Sequence, residues 1–324
     1  MKKAAIVLLA VTVFLIWHVT RTGDATIIVY SPMEQYRNDE LQRQLDEKFP
    51  QWDVNIMSMA TAKAAAKINV EGSHSDADIV IDMECAYLER MKDQLEEVAD
   101  LSRLDYLDGI SDPDGRYLIW DRQAGAIVVN RTVLEKYDLP IPETYEDLLD
   151  PVYRNRIAMP DPKSSGTGYF FYKNLVNVWG EEKALAYFDA LAPNIKQFTE
   201  SGSGPIKLLV QQEVAVGFCL TFQAVDEMNN GNDFLILEPE FGSPYSLTGA
   251  SIVKGKRDRT GVEEVFDFIV NDFMVYDKEY FSPGQVLKEQ ENKLENYPTD
   301  FSYGDMTGIE DVSEQERLLE LWKY

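Results

Sequence analysis

Histidine is almost absent from this chain of 324 residues, which carries only His18 and His74. Histidine is the side chain that titrates near neutral pH and the commonest metal ligand. A Ser-His-Asp hydrolase would have to rest on His74, in the polar stretch Gly72-Ser73-His74-Ser75. A zinc site would have one histidine and two distant cysteines, which is too few ligands. There is no G-x-S-x-G elbow and no G-x-x-x-x-G-K-[ST] phosphate loop. These absences argue against catalysis, and no cofactor is expected. Cysteine is as scarce, with Cys85 and Cys219 alone. Both read as buried thiols, Cys219 from its place in the apolar run Val214–Leu220. Positive charge is also short: Lys+Arg is 31 against Asp+Glu 56, a formal net charge of −25. That sign is wrong for displacing counterions from nucleic-acid phosphates, and an anionic membrane surface would repel it. The excess reads as a solvated acidic surface.

Long apolar runs are confined to one place. Lys2 and Lys3 precede Ala4 to Trp17, and the polar stretch His18 to Asp24 follows. A run of about 10–14 apolar residues is short for a membrane span and typical of a signal-peptide core. Gly23 and Ala25 put small residues at −3 and −1 for cleavage after Ala25, although Arg21 and Asp24 crowd that site. The alternative is a retained anchor, tethering the protein by residues 4–17. Both readings of residues 1–25 place the body outside the cytoplasm. No cysteine follows the run, which excludes lipid attachment at a new N-terminal cysteine.

What is present is a large α/β body. Its size exceeds that of a single core, so two lobes are expected. Thr26–Tyr30 is a β-branched strand, and Ser31-Pro32 opens a helix over 33–49. Strands at 54–57 and 77–82 alternate with helices at 60–70 and 86–98, the signature of a doubly wound parallel sheet. Ala124–Asn130 is a further strand. Pro140 and Pro142 then mark a change of unit, and Arg156–Met159 restarts the alternation. A strand at 214–220, a return strand at Gly249–Val253 and an amphipathic helix at 262–274 follow; beyond Phe281 the chain is polar and punctuated by Gly and Pro. One lobe would comprise 26–124 plus 250–324 and the other 125–249, with the strands at 124–130 and 249–253 as hinge. A monomer is expected.

In an open α/β sheet, ligands bind beyond the carboxyl ends of strands, against helix N-termini. Four loops qualify. Ser31-Pro32-Met33 follows the first strand, and Asp82-Met83-Glu84 the third. The other two are Ser164-Ser165-Gly166-Thr167 and Ser201-Gly202-Ser203. The last two combine hydroxyls, glycines and a helix start, which suits an anion. Lys163 and Lys207 add local positive charge. Thr221, Phe222 and Tyr245 are placed to wall a ligand. The competing reading of each loop is ordinary helix capping, where Ser, Thr and Gly are preferred in any case.

The segment TYEDLLDPVYRNRIAMPDPKSSGT at Thr144–Thr167 resembles the opening of the second lobe in a group of bacterial ABC-transporter solute-binding proteins. In that group the pattern is W-x-D-L-L-D-P followed by D-P-x-x-S-G-T. VQQEVAVG at Val210–Gly217 and FGSPYSLTGASIVKG at Phe241–Gly255 match in order, as do Tyr30-Ser31-Pro32 and Ser201. The resemblance implies the periplasmic-binding-protein fold, two doubly wound lobes joined by a two-strand hinge. It implies an exported receptor that hands a small molecule to an ABC permease; the missing lipidation cysteine and the alternative of a retained anchor depart from many relatives and leave open a tethered receptor that feeds a membrane sensor kinase. The group includes receptors for ferric iron, thiamine, polyamines, 2-aminoethylphosphonate and sugar phosphates. Its ferric members carry an adjacent tyrosine pair after the "a-i-G" strand; here Phe218-Cys219-Leu220-Thr221-Phe222-Gln223 has none. Direct iron binding by tyrosinate is therefore not expected. Members that hold phosphate or phosphonate are similar in using the S-G-T loop and the later serine loop, here Ser164–Thr167 and Ser201–Ser203. The expectation is a phosphorylated or phosphonate-bearing organic solute, with a polyamine or other cationic solute, or an iron chelate, as the alternative.

Overall fold

The computed structural model describes residues 26–298, 300 and 302–324. Residues 1–25, and with them the leader reading, lie outside the described residues. The first unit opens with β1 (Thr26–Ser31), α1 (Gln35–Lys48), β2 (Asp53–Ser58), α2 (Thr61–Glu71), β3 (Ile79–Glu84) and α3 (Cys85–Arg90). The long strand β4 (Leu118–Asn130) leads to α4 (Arg131–Tyr137), β5 (Ile157–Pro160), α5 (Gly166–Trp179), α6 (Glu181–Leu191), β6 (Ile195–Thr199), α7 (Gly204–Val210), β7 (Val216–Leu220), α8 (Thr221–Asn229) and β8 (Phe234–Leu237). The return strand β9 (Tyr245–Ile252) is followed by α9 (Val262–Phe268), a π turn over Ile269–Phe273, α10 (Met274–Tyr280) and, last, α11 (Val312–Leu321).

The strands follow one path, β2-β1-β3-β9-β4-β7-β5-β6, with β8 on β4. The β1 pairings with β2 and β3 are parallel, as are those of β5 with β6 and β7. Between these trios stand β9 and β4, which pair antiparallel with their neighbours. Each lobe is therefore mixed rather than wholly parallel, because the two crossing strands run against the trios. β4 changes partners in mid-strand. Leu118–Ala124 pairs with β9, and Gly125–Val129 pairs with β7. At the switch a Cβ on Gly125 would lie 2.6 Å from Phe170 and 2.7 Å from Phe171, so only glycine lets the strand pass.

Three apolar clusters fill the lobes, one in the first lobe and two on opposite faces of the sheet in the second, where Val128 and Cys219 belong to the third. Val29, Ile81, Trp120, Ile252, Phe266 and Phe273 belong to the first. Tyr145, Phe171, Phe188, Phe218 and Trp322 belong to the second. Cys85 and Cys219 are both buried and free, one against each lobe.

The C-terminal stretch departs from expectation. Val286 and Leu287 are in the first core, but Met306, Ile309, Leu318 and Trp322 are in the second, joined by Leu294 and Tyr297. The chain thus crosses between lobes a third time, and residues beyond about 294 belong with 125–244 rather than with 250–293. Trp322 explains this: its ring packs on Phe188 (5.0 Å) and Tyr172 (5.3 Å). Glu314 pairs with the buried Lys173 at 2.7 Å. Two helix expectations also shift. Ser31 ends β1 instead of capping a helix, and α1 begins at Gln35 after Glu34. The helix expected over 86–98 stops at Arg90, because Leu95 leaves it to bridge Val253.

Candidate functional site

A cleft open to solvent lies between the lobes at the carboxyl ends of β1, β3 and β5. Asp82, Ser164, Ser165, Gly166, Thr167, Ser201, Gly202 and Ser203 all line it, so eight of the twelve residues singled out from sequence meet in one place.

On the first lobe, β3 delivers Asp82. Its register with β9 shifts between Val80 and Met83, and Asp82 has φ +49. An irregularity of this kind re-aims a side chain out of the strand's regular alternation, and aspartate tolerates the left-handed region better than most residues. The carboxylate accepts from Arg37 Nη1 at 3.0 Å, Gln123 Nε2 at 3.1 Å and Thr248 Oγ1 at 2.5 Å. Arg37 is fully buried and also forks onto Asp277, at 2.8 and 2.7 Å, and onto Glu34 at 3.0 Å. Burial pushes the Asp82 carboxyl above its ordinary range, with the Arg37 charge pulling the other way. Behind it Asp121 pairs with the buried Lys278 at 2.5 Å. Glu84, two residues on, is 6% exposed, and burial pushes its carboxyl up to about 8.

On the second lobe, the two Ser/Gly loops touch. A Cβ on Gly202 would stand 2.4 Å from Thr167 Oγ1 and 3.6 Å from Ser165 Oγ. Ser165 is the N-cap of α5 yet makes no side-chain capping bond. The first amide to reach an acceptor there is Tyr169, which donates to Ser165 O at 3.0 Å. The Gly166 and Thr167 amides precede it and have no intrahelical acceptor. In the second loop Gly204 N–H donates to Ser201 O at 3.0 Å, and the Ser201 and Ser203 hydroxyls lie 3.3 Å apart. Across the cleft Gln223 Nε2 donates to Glu34 Oε1 at 2.6 Å, a direct bond between lobes.

Four expected residues stand apart from the lining. Ser31 is fully buried; its hydroxyl donates to Asn38 Oδ1 at 2.7 Å and accepts from Met33 N–H at 3.2 Å. Thr221 Oγ1 donates to Ala124 O at 3.1 Å, fastening α8 to β4. Phe222 is buried 5.4 Å from the Arg37 guanidinium. Tyr245 lies edge-on to Tyr303 at 5.0 Å with Arg122 over its ring. Lys163 turns outward, donating to Trp322 O at 2.7 Å. No lysine, arginine or histidine lines the cleft among the described residues, and His74 is exposed.

Glu34, Gln123, Glu200, Gln223 and Thr248 also line the cleft without being singled out from sequence, as does Glu84, which belongs to the candidate loop after the third strand but is not among the expected ligand residues. Glu84 was within reach as the polar end of an apolar strand. Gln123 and Thr248 were not, because they reach Asp82 only through the antiparallel pairings of β9 with β3, where Glu84 opposes Thr248, and of β9 with β4, where Asp121 opposes Thr248.

Comparison with known proteins agrees with this geometry. Two solved periplasmic binding proteins superpose on nearly the whole chain. AfuA from Actinobacillus pleuropneumoniae, with exogenous fructose-6-phosphate bound, has TM-score 0.78 at 23% identity over 93% of this chain and 98% of its own. P5PA has TM-score 0.76 at 21% identity over 92% and 98%. At such identities the likeness establishes the two-lobed fold. Among curated proteins, Iron uptake protein A1 of Synechocystis sp. is 24% identical over 68% of this chain and 64% of its own length. An uncharacterized protein of Haemophilus influenzae is 33% identical over 36% of this chain and 34% of its own. The chain therefore spans less than two-thirds of either curated relative. Residues 76–305, well over half the chain, match the bacterial extracellular solute-binding protein family, and the chain belongs to that family.

Proposed function

We propose that this receptor captures a small organic solute bearing a phosphate or phosphonate group and delivers it to an ABC permease. The observation that carries the reading is the meeting of two Ser/Gly loops, with Gly202 against Thr167, at the uncapped start of the 14-residue helix α5. Hydroxyls and bare amides converge there, and a helix N-terminus favours an anion. Opposite them, Asp82 and Glu34 offer acceptors to hydroxyl or amine groups of the solute's body. The solute bridges both lobes, and its contacts with each stabilise the closed arrangement over the open one.

A second reading has its own observation. Glu34, Asp82, Glu84 and Glu200 all line the cleft without a cation beside them in the lining, which suits a polyamine. A thermal-shift screen with phosphate esters, phosphonates, polyamines and ferric citrate separates the two, since a ligand bound only by the native state raises Tm. A shift with esters or phosphonates supports the first reading; a shift with polyamines alone replaces it with the second. Transport rather than signalling requires that the loaded protein stimulate ATP hydrolysis by a reconstituted permease.

A further inference from the structure

Glu84 ends β3, and its side chain crosses the cleft to the N-terminus of α5. Its Oε2 stands 3.0 Å from where a Cβ on Gly166 would be, with Cγ at 3.2 Å and Cδ at 3.3 Å. Only a glycine at 166 allows this approach between lobes without displacing the carboxyl. The residue is 6% exposed, and Oε2 has no hydrogen-bond partner among the described residues. A buried carboxylate without a partner is costly, and such a group escapes the cost by keeping its proton.

The groups facing it do not supply a counter-charge within reach. Asp82 is on the same strand. Cys85, Tyr87 and Arg90 come from α3, Tyr169 from α5 and Glu310 from the C-terminal stretch. Arg90 is the one cation of this set, and it is engaged with Gln315 at 3.2 Å and Glu316 at 3.5 Å. Burial raises the carboxyl to about 8; Glu310 adds to the rise, and the Ala86 amide and Arg90 oppose it.

We propose that Glu84 is a specificity-determining residue for ligand charge: as the neutral acid it donates a hydrogen bond to an anionic group seated at the start of α5, so that capture of the anion requires the proton to stay on Glu84. This rests on the phosphate-end reading of the cleft. Ionised, Glu84 would face the same anion at short range in a medium of low dielectric and repel it. The ionised form would instead favour an ammonium group. The direction in which affinity changes with pH therefore reports which charge the site accepts.

The test compares the full chain with Glu84→Gln, whose amide can donate the same hydrogen bond but cannot titrate. Calorimetry with fructose-6-phosphate as probe runs from about pH 7 to about pH 9.5, above the second ionisation of a phosphate ester near pH 6. Wild-type affinity is expected to fall by about thirtyfold over that range, since each pH unit above the ionisation of the acid is a factor of about ten. Glu84→Gln is expected to bind within about threefold of wild type at the lower pH and to show a flat profile. A wild-type profile as flat as that of the variant overturns the role of Glu84 and leaves the phosphate reading standing. Binding of putrescine in place of the ester overturns both. A ligand-free arm decides the case if neither probe binds. The infrared difference between wild type and Glu84→Gln at about pH 7 must contain a protonated-carboxyl band that is lost by about pH 9.5; its absence overturns the proposal.

Discussion

Asp82 on β3 has three donors from within the protein, one of them the fully buried Arg37, while Gly166 and Thr167 on α5 offer amides that nothing in the helix accepts. The two walls thus differ in how much of their hydrogen bonding is spent within the protein. The first-lobe wall is wired inward, from Asp82 through Arg37 to Asp277 and on to Trp120 Nε1 at 3.2 Å. The second-lobe wall is left open toward the cleft. The two walls are therefore suited to different work. The first holds a fixed set of acceptors in place and contributes chiefly to stability. On the proposed reading the second keeps its donors for the ligand and contributes chiefly to affinity.

The largest expected effect tests the inward wiring. Arg37→Met removes the only cation bonded to Asp82 and Asp277 among the described residues, leaving buried carboxylates uncompensated. Breaking a buried pair from one side costs roughly 3–5 kcal/mol, and urea unfolding should register a loss of that order. Adding Asp277→Asn to the variant should recover part of it. A loss within about 0.5 kcal/mol, the range of ordinary surface changes, would mean that the first wall is not organised by this residue.

Next in size is a pH dependence. The folded-state value of Glu84 lies near 8, above the roughly 4.3 of an unfolded glutamate. A group whose proton is held more tightly in the folded state contributes stability below the unfolded value. That contribution fades as pH rises toward the folded value. Wild type should therefore lose stability relative to Glu84→Gln between about pH 4.5 and about pH 8, and the difference should then level off. Denaturant midpoints of both proteins across that window check it. A constant difference would mean that Glu84 is ionised in both states.

How much of this was legible beforehand divides along the same line. The α/β alternation, the two lobes and the Ser/Gly loops of the second lobe were readable, because each depends on local pattern: β-branched runs, glycine and hydroxyl residues ahead of a helix. The first wall was legible only at Asp82. Its members Arg37, Gln123, Thr248 and Asp277 come from four separate stretches, and the pairings of β3 with β9 and β9 with β4 bring only two of these, those of Gln123 and Thr248, beside Asp82. Ser31 misled because a serine ahead of a helical run resembles a cap; its burial and its bond to Asn38 give it a packing role. The C-terminal stretch misled because its anchor is Trp322, a single aromatic after a polar run, and contacts such as Trp322 with Phe188 leave no local periodicity.

Thr167→Ala tests the open wall. Thr167 Oγ1 lies against Gly202 at the junction of the two loops, and Ser165 at the helix start makes no side-chain cap. Loss of one hydroxyl donor to a charged group should weaken binding of a phosphate ester by about tenfold, since roughly 1.4 kcal/mol is a factor of ten. The unfolding midpoint of the unliganded protein should stay within the range of a surface substitution. Equal affinity with lowered stability would assign the loop to helix capping and move the anion elsewhere.

The smallest expected effect is Ser31→Ala, and it completes the comparison because it removes a hydroxyl from the opposite lobe. Ser31 makes two bonds, giving its proton to Asn38 Oδ1 and accepting from the Met33 amide, and neither partner belongs to a ligand. Asn38 donates in turn to Met33 O at 3.0 Å, so the three residues close a small buried ring at the turn between β1 and α1. Truncation leaves the Asn38 oxygen and the Met33 amide each short of a partner. Typical intramolecular hydrogen bonds contribute about 0.5–1.5 kcal/mol net, and the desolvated partners raise the cost of removing only one side. A loss of about 1 kcal/mol is expected in denaturant unfolding, with affinity for the ester unchanged within about twofold. Thr167→Ala and Ser31→Ala should thus give opposite results in the same two measurements. If Ser31→Ala weakens binding as much as Thr167→Ala does, the turn after β1 contacts the ligand, and the first wall is not the inward-wired surface that Arg37 and Asp82 make it.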